Sequence, residues 1–349
     1  MRFSVAYEET AGFLHKAIER GFITELFASA GVILKNRGAV VQAREKGMDF
    51  CCLFEQVCFD NSEQTAVMRK RLDEMFSQCR YAKINRVSIS SPFILGFIKK
   101  NYPEMKITVS AMAQVDSVER ARFWEALGAD TLILEHVTVN RNFDLLKKIR
   151  RAVSCKIELI ANSDCIYDCP CKTNHAVWHS HSGYVPEGFV PGKSAEDIYW
   201  TRCYSRKIDK PVDIIRAAWI RPEDTILYEE LGIDSLRILA PYCLDHPVEE
   251  IVQAYFDHTY DGNLLEILGP LFPSSCPSLK NDKTCSRSGL EDIFYLDNRQ
   301  LDGYVSFLRE KKCSQNVCDE CGWCSLIAEK SLSVSFSAMQ RREERFVEL

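Results

Sequence analysis

The sequence predicts an α/β fold: a TIM-like (β/α)8 barrel followed by a small cysteine-rich C-terminal appendage. Short apolar runs alternate with amphipathic segments over most of the 349 residues, the pattern of repeated β/α units around a parallel sheet. Two segments, GADTLIL at 128–134 and GIDSLRI at 232–238, repeat one junction: a helix stopped by Gly, then Asp, then an apolar strand. The length accommodates a barrel of roughly 250 residues with an appendage to spare. No G-x-G-x-x-G follows the first strand, which disfavours an open dinucleotide-binding sheet.

Taken in order, the strand-like runs are Phe3–Tyr7, Ile23–Phe27, Asp49–Phe54, Arg86–Ile89, Lys106–Val109, Thr131–Leu134, Lys156–Ile160, Asp213–Ala218 and Ser235–Leu239. Helical segments lie between them, such as Ser117–Leu127 before Gly128 and Tyr228–Leu231 before Gly232. The barrel is expected over residues 1–265. Beyond it the periodicity fades into a Pro/Ser/Lys-rich linker. The appendage, 266–349, then offers a helix at Leu301–Lys312, a second after its cysteine run, and a charged amphipathic end, MQRREERFVEL.

A hydrophobic content of 46% with 27% charged residues is that of a folded globular chain, not a disordered one. The net charge of -5 gives no general attraction to nucleic acid. No run approaches the ~20 apolar residues that span a bilayer, and Glu8 and Glu9 interrupt any signal-peptide core. A cytoplasmic protein with no membrane association is expected. In that reducing compartment the 16 cysteines are read as metal ligands or chemical groups before disulfides. Cys51, Cys52, Cys79 and Cys155 read as small apolar fillers.

Two cysteine constellations stand out. Cys165, Cys169 and Cys171 follow the strand Lys156–Ile160, in a βα loop at the barrel face where active sites lie. Their C-x3-C-x-C spacing is not the C-x3-C-x2-C of radical-SAM enzymes. Residues at i and i+2 usually point apart, so a complete site needs partners from elsewhere: Cys58, Cys203 and Cys243 are the candidates. The second is Cys313, Cys318, Cys321 and Cys324. Its C-x2-C-x2-C core is common around iron–sulfur clusters, whereas zinc knuckles usually separate two cysteine pairs by more chain.

Other groups gather near the first constellation. His175 and His179, at i and i+4, share a helix face as zinc ligands do, with His181 close behind. No H-E-x-x-H is present, which excludes a zincin; donation to an anionic substrate, or capping of the loop, are the other readings of these histidines. Arg202, Arg206, Arg216 and Arg221 surround Cys203 and the run Asp213–Ala218, and Arg matches carboxylates bidentately. For Arg221 the plainer role is a pair with Glu223 or Asp224. Glu135 and His136, ending TLILEH, stand where acid/base groups stand, although a lone His there is more often structural.

The run from VSISSPFILGF through GADTLILEH to KIELIANSDC, with TRCYSR and GIDSLRI beyond, resembles the peptidase U32 family over residues 1–260. The resemblance implies a TIM-like barrel holding a [4Fe–4S] cluster through four cysteines. It maps Cys165, Cys169 and Cys203 onto the mid-chain ligands, with Cys58 or Cys243 as the fourth. It also implies oxygen-independent hydroxylation, or a partner role in it, on RNA bases or the ubiquinone ring, with prephenate as oxygen donor. Two departures bear on substrate contacts: the family's HGA-x-C loop reads ANSDC here, and its KIEGR reads RILAP.

The leading expectation is therefore an iron–sulfur enzyme performing hydroxylation or a related redox modification of a small molecule, peptide or RNA. A small carboxylate co-substrate is expected at the Arg side chains and His175 and His179. The tail cysteines are expected to hold a second cluster or zinc. The alternatives are a U32-type peptidase, which has no Ser-His-Asp, Cys-His or zincin signature behind it, and a non-catalytic iron–sulfur partner of a paralogous barrel.

Overall fold

The computed structural model of the chain describes residues 1–7, 13–19, 21–181, 197–239, 248–269, 271, 290–311, 313 and 318–334. Strands β1 (Arg2–Ala6), β2 (Ile23–Ser29), β3 (Asp49–Phe54), β4 (Arg86–Ile89), β5 (Lys106–Val109), β6 (Thr131–Ile133), β7 (Lys156–Ile160) and β8 (Ser235–Ile238) pair in chain order. All pairs are parallel, and β8 returns to β1 with Arg2 opposite Ser235, so the sheet closes into the expected barrel. The helices outside it begin with α1 (Phe13–Glu19), α2 (Ala30–Lys35), α3 (Arg37–Glu45), α4 (Ala66–Tyr81), α5 (Pro92–Asn101) and α6 (Val118–Ala126). They continue with α7 (His136–Val139), α8 (Phe143–Ala152), α9 (Lys172–Ser180), α10 (Ile198–Asp209), α11 (Val212–Arg216), α12 (Thr225–Glu230) and α13 (Val248–Asp257).

The repeated junction has a repeated physical cause. Gly128 and Gly232 stop α6 and α12 at φ 102° and 80°, where a side chain would be strained. Two residues on, Asp130 and Asp234 accept the N–H of Ile107 (2.8 Å) and Ile157 (2.9 Å) on the preceding strand. Each also meets a helix cation, Lys99 at 3.2 Å and Arg150 at 2.9 Å. The aspartate thus fastens each helix exit to the preceding strand, beside which the next strand then pairs.

The barrel interior is ionic as well as aliphatic. Arg237 Nε donates to Glu158 (2.7 Å), Arg86 Nε lies 2.8 Å from Glu25, and Arg86 also donates to Thr131 (3.2 Å). Burial, then the Glu158 charge, lift Glu25 to about 7 against the pull of Arg86 and Arg237. Cys51, Cys52 and Cys79 are buried as apolar fillers, and Cys155 packs at the core margin.

One expected strand is a helix. Asp213–Ala218 does not enter the sheet: β7 pairs directly with β8, leaving no edge between them, and residues 212–216 coil into α11 after Pro211. Its Ile214 and Ile215 are buried by helical packing instead, and Trp219 Nε1 donates back to the Ile214 carbonyl at 2.9 Å.

The C-terminal part forms β9 (Phe294–Leu296), α14 (Tyr304–Lys311), α15 (Cys318–Cys321), α16 (Trp323–Ser331) and β10 (Leu332–Val334), with β9 and β10 antiparallel. Helix α16 lies against α11. Tyr304 Oη donates to the Ile215 carbonyl (2.7 Å) and accepts from Arg141 (2.8 Å), whose guanidinium lies over Trp219 at 4.4 Å. The Phe307 and Trp323 rings stack at 3.9 Å. The amphipathic end expected at 339–349 lies outside the described residues, as does most of the linker. Among the described residues no helix is long and apolar enough to cross a membrane.

Candidate functional site

The loop between β7 and α9 is held by a side chain the sequence did not single out. Asn162, fully buried, donates to the carbonyls of Leu239 and Ile267 (2.9 Å each) and accepts from the Leu239 N–H (2.8 Å). It ties the ends of β7 and β8 together and sets where the cysteines begin. Asp164 then accepts from the buried Lys207 of α10 at 2.6 Å. Burial works against the Lys207 charge, but Asp164 and then Cys203 hold it raised.

Cys165, Cys169, Cys171 and Cys203 line one chamber of about 80 Å³, together with His136, Lys172 and His175. The alternation expected to turn Cys169 and Cys171 apart belongs to extended chain. Here Asp168 adopts φ 46° and the loop is a turn, so both line the chamber. Burial pushes the Cys165 thiol up to about 12, with Asp164 and Cys203 adding to it. Burial likewise raises Cys169 and Cys203, while Lys207 pulls Cys203 the other way.

The chamber fits an iron–sulfur cluster by its donor set: soft thiols from two elements, apolar walls, and a buried cation beside them. His136 gives a second indication. It is buried and lines the chamber, and neither ring nitrogen has a hydrogen-bond partner among the described residues. An unsatisfied buried imidazole calls for a guest. Burial lowers its pKa against the pull of Glu135. Glu135 itself caps α7, accepting from Val137 N (3.0 Å) and Thr138 N (2.9 Å), and is engaged there.

A second cavity of about 390 Å³ opens over the barrel axis, within the size range of small-molecule sites. It shares Met112, Ala176 and Leu271 with the chamber, so the two are contiguous. Its charged groups are Arg237, stacked 4.4 Å over Phe27, and Glu55, 3.5 Å from Arg237.

Helix α9 forms part of the wall. His175 lines the chamber and His179, one turn on, lines the axial cavity. Both converge on Asp197: His175 Nε2 is 2.8 Å and His179 Nε2 3.7 Å from its Oδ2. Burial, then the His175 charge, lower His179 to about 4. Burial opposes the Asp197 charge, but the His175 and Trp200 hydrogen bonds prevail and lower it.

The remaining expected residues sit elsewhere. Cys58 does not line the chamber; it lies with Asp60 and His181, their ligand atoms within 4.8 Å of one another. Cys243 lies outside the described residues. Arg202 is exposed, Arg206 and Arg216 bind Asp213 at 2.7 and 3.4 Å, and none of the three lines either cavity. Arg221 pairs with Glu223 (3.2 Å) and Asp302 (2.8 Å). In the tail, burial and then Cys324 push Cys313 up to about 11, with Cys318 and Cys321 close enough to add to it. Cys324 Sγ is 3.5 Å from Tyr304 Oη. Tyr167, in the same loop, is raised to about 12 by burial, then by Cys313 and Cys318.

Residues 37–169 match the sequence profile described as peptidase family U32. The chain is 30% identical over 297 residues to a protein named "Uncharacterized protease MJ1657" from Methanocaldococcus jannaschii, covering 84% of this chain and 80% of that one. Among solved structures, that of the U32 peptidase Mk0906 superposes with a TM-score of 0.51 at 17% identity, over 69% of this chain and 92% of the other. At that identity the likeness concerns the fold.

Proposed function

The chain belongs to peptidase family U32, and from that premise we propose that it is an iron–sulfur enzyme whose cluster lies in the thiol chamber beside the barrel mouth. The observation that carries this reading is the chamber itself: cysteines from the β7–α9 loop and from α10 meet around one small, largely buried space. Cys165, Cys169 and Cys203 would hold the cluster, and Cys171 is the remaining thiol of the chamber. Such a group supplies redox or Lewis-acid chemistry when it keeps a coordination position free. The chain's own part is then to bind and orient. Lys207 offsets thiolate charge in a buried setting, and His136, neutral in its buried place, has one donor and one acceptor nitrogen to offer at the chamber wall. The axial cavity is the place for the second reactant. A small carboxylate there would be met by Arg237, since Arg202, Arg206 and Arg216 face elsewhere. Hydroxylation, or a related redox modification of that reactant, is the chemistry such a pair of compartments serves.

The peptidase reading has the relative's name behind it and a His175–Asp197 pair bordering the thiols. A cysteine nucleophile, however, needs a thiol pushed down, and burial pushes Cys165, Cys169 and Cys203 up.

Iron and acid-labile sulfide, measured on anaerobically purified protein, test the proposal. Cys169→Ala should remove the chamber's iron and leave the tail's metal, and Cys321→Ala should do the reverse. A colourless, iron-free wild type ends the reading.

A further inference from the structure

We propose that His175, His179 and Asp197 hold a divalent transition-metal ion at the partition between the thiol chamber and the axial cavity. The three ligand atoms lie within 4.8 Å of one another. The two imidazole nitrogens stand 2.8 and 3.7 Å from the same carboxylate oxygen. Around a zinc-sized ion with bonds near 2.05 Å, neighbouring tetrahedral ligands are about 3.3 Å apart, so these separations straddle the required edge.

The supports are those that metal sites use. The histidines are one helical turn apart on α9 and stay in step. The other Asp197 oxygen is engaged: it accepts from Tyr199 N and Trp200 N at 3.0 Å each, capping α10 and fixing the carboxylate plane. Aromatic rings steady both imidazoles, Tyr199 beside His175 (5.4 Å) and Trp178 edge-on to His179 (5.4 Å). Two imidazoles and one carboxylate form an N/O set suited to Zn²⁺, Fe²⁺ or Co²⁺. Three protein ligands leave room for a water or substrate oxygen, as in reactive rather than structural sites. One imidazole borders each cavity, so that free position is available at their junction. The site uses no cysteine and stands independently of the cluster.

Cobalt is the probe. Full-length protein, purified anaerobically with its thiol sites as they come, is titrated with Co²⁺ and followed by absorption. The expected result is one equivalent that adds visible ligand-field bands without the near-ultraviolet thiolate-to-cobalt charge transfer, and that Zn²⁺ displaces. His179→Gln and His175→Ala should each weaken it at least tenfold, with far-ultraviolet circular dichroism confirming that the variants fold, and Cys169→Ala should keep it. Absence of a thiolate-free cobalt signal in the wild type overturns the proposal. So does its persistence at full strength in folded His179→Gln, or its loss in folded Cys169→Ala, which would assign the ion to the chamber.

Discussion

Lys207 and Asp164 show how much a single buried pair decides. Both are withdrawn from water and lie 2.6 Å apart behind the cysteines. Lys207→Met is expected to leave the carboxylate unpaired and to cost about 3–5 kcal/mol in urea unfolding; a loss below about 1 kcal/mol would show that the pair contributes little. His179 gives a pH dependence whose sign is fixed. Its folded pKa of about 4 lies below the ordinary 6.5, so between those values the unfolded chain binds the extra proton. The associated stability is complete above pH 6.5 and is lost as pH falls toward 4. With a chelator present, wild type should lose more stability than His179→Gln across that window, by up to a few kcal/mol; equal slopes would refute it. At this scale the sequence pointed to residues that the fold gathers, but not to all their partners. The loop cysteines and the His175–His179 step are visible in their spacing, whereas Cys203 joins them only through the family resemblance. Asn162, the Asp164–Lys207 pair and Asp197 are not visible in this way, because each acquires its role from a residue that only the closed barrel brings near. That Cys169 and Cys171 border one space follows from the turn at Asp168, where an extended strand would turn them apart.

At the level of elements, local chemistry was legible wherever a stop signal accompanied the apolar pattern. The two Gly-x-Asp junctions marked helix ends and strand starts correctly because a positive φ and a side-chain tether are both encoded within three residues. Gly128→Ala and Gly232→Ala are each expected to lower stability by about 1 kcal/mol, read as a shift in urea midpoint at unchanged slope. At Gly128 the new methyl meets only the flexible end of Lys99, so backbone strain should dominate the cost. Where a short apolar run lacked such signals, as in Asp213–Ala218, strand and helix were equally consistent with it. The choice was made by topology, since β7 and β8 already satisfy each other. The β9–β10 ladder escaped notice for a related reason: three residues a side carry too little periodicity to register.

Across the whole molecule, the C-terminal part is secured to the barrel through Tyr304, whose hydroxyl serves Ile215 and Arg141 at once. Tyr304→Phe removes the hydroxyl's bond to the Ile215 carbonyl and one of the acceptors of Arg141, which keeps the Ile215 (2.8 Å) and Arg216 (3.3 Å) carbonyls, a cost of about 1 kcal/mol. It should also speed proteolytic release of the C-terminal part while the barrel stays intact; unchanged cleavage kinetics would argue against the anchor. The seam where β8 meets β1 has a consequence for how the molecule is made. Residues 2–5 find their second partner only at 235–238, so a nascent chain carries β1 half-satisfied until more than 200 further residues have emerged. The segment that buries α11 emerges later still. Such distant pairing makes refolding slow, on a scale of milliseconds to seconds or beyond, and gives chaperones time to engage an open, edge-exposed intermediate.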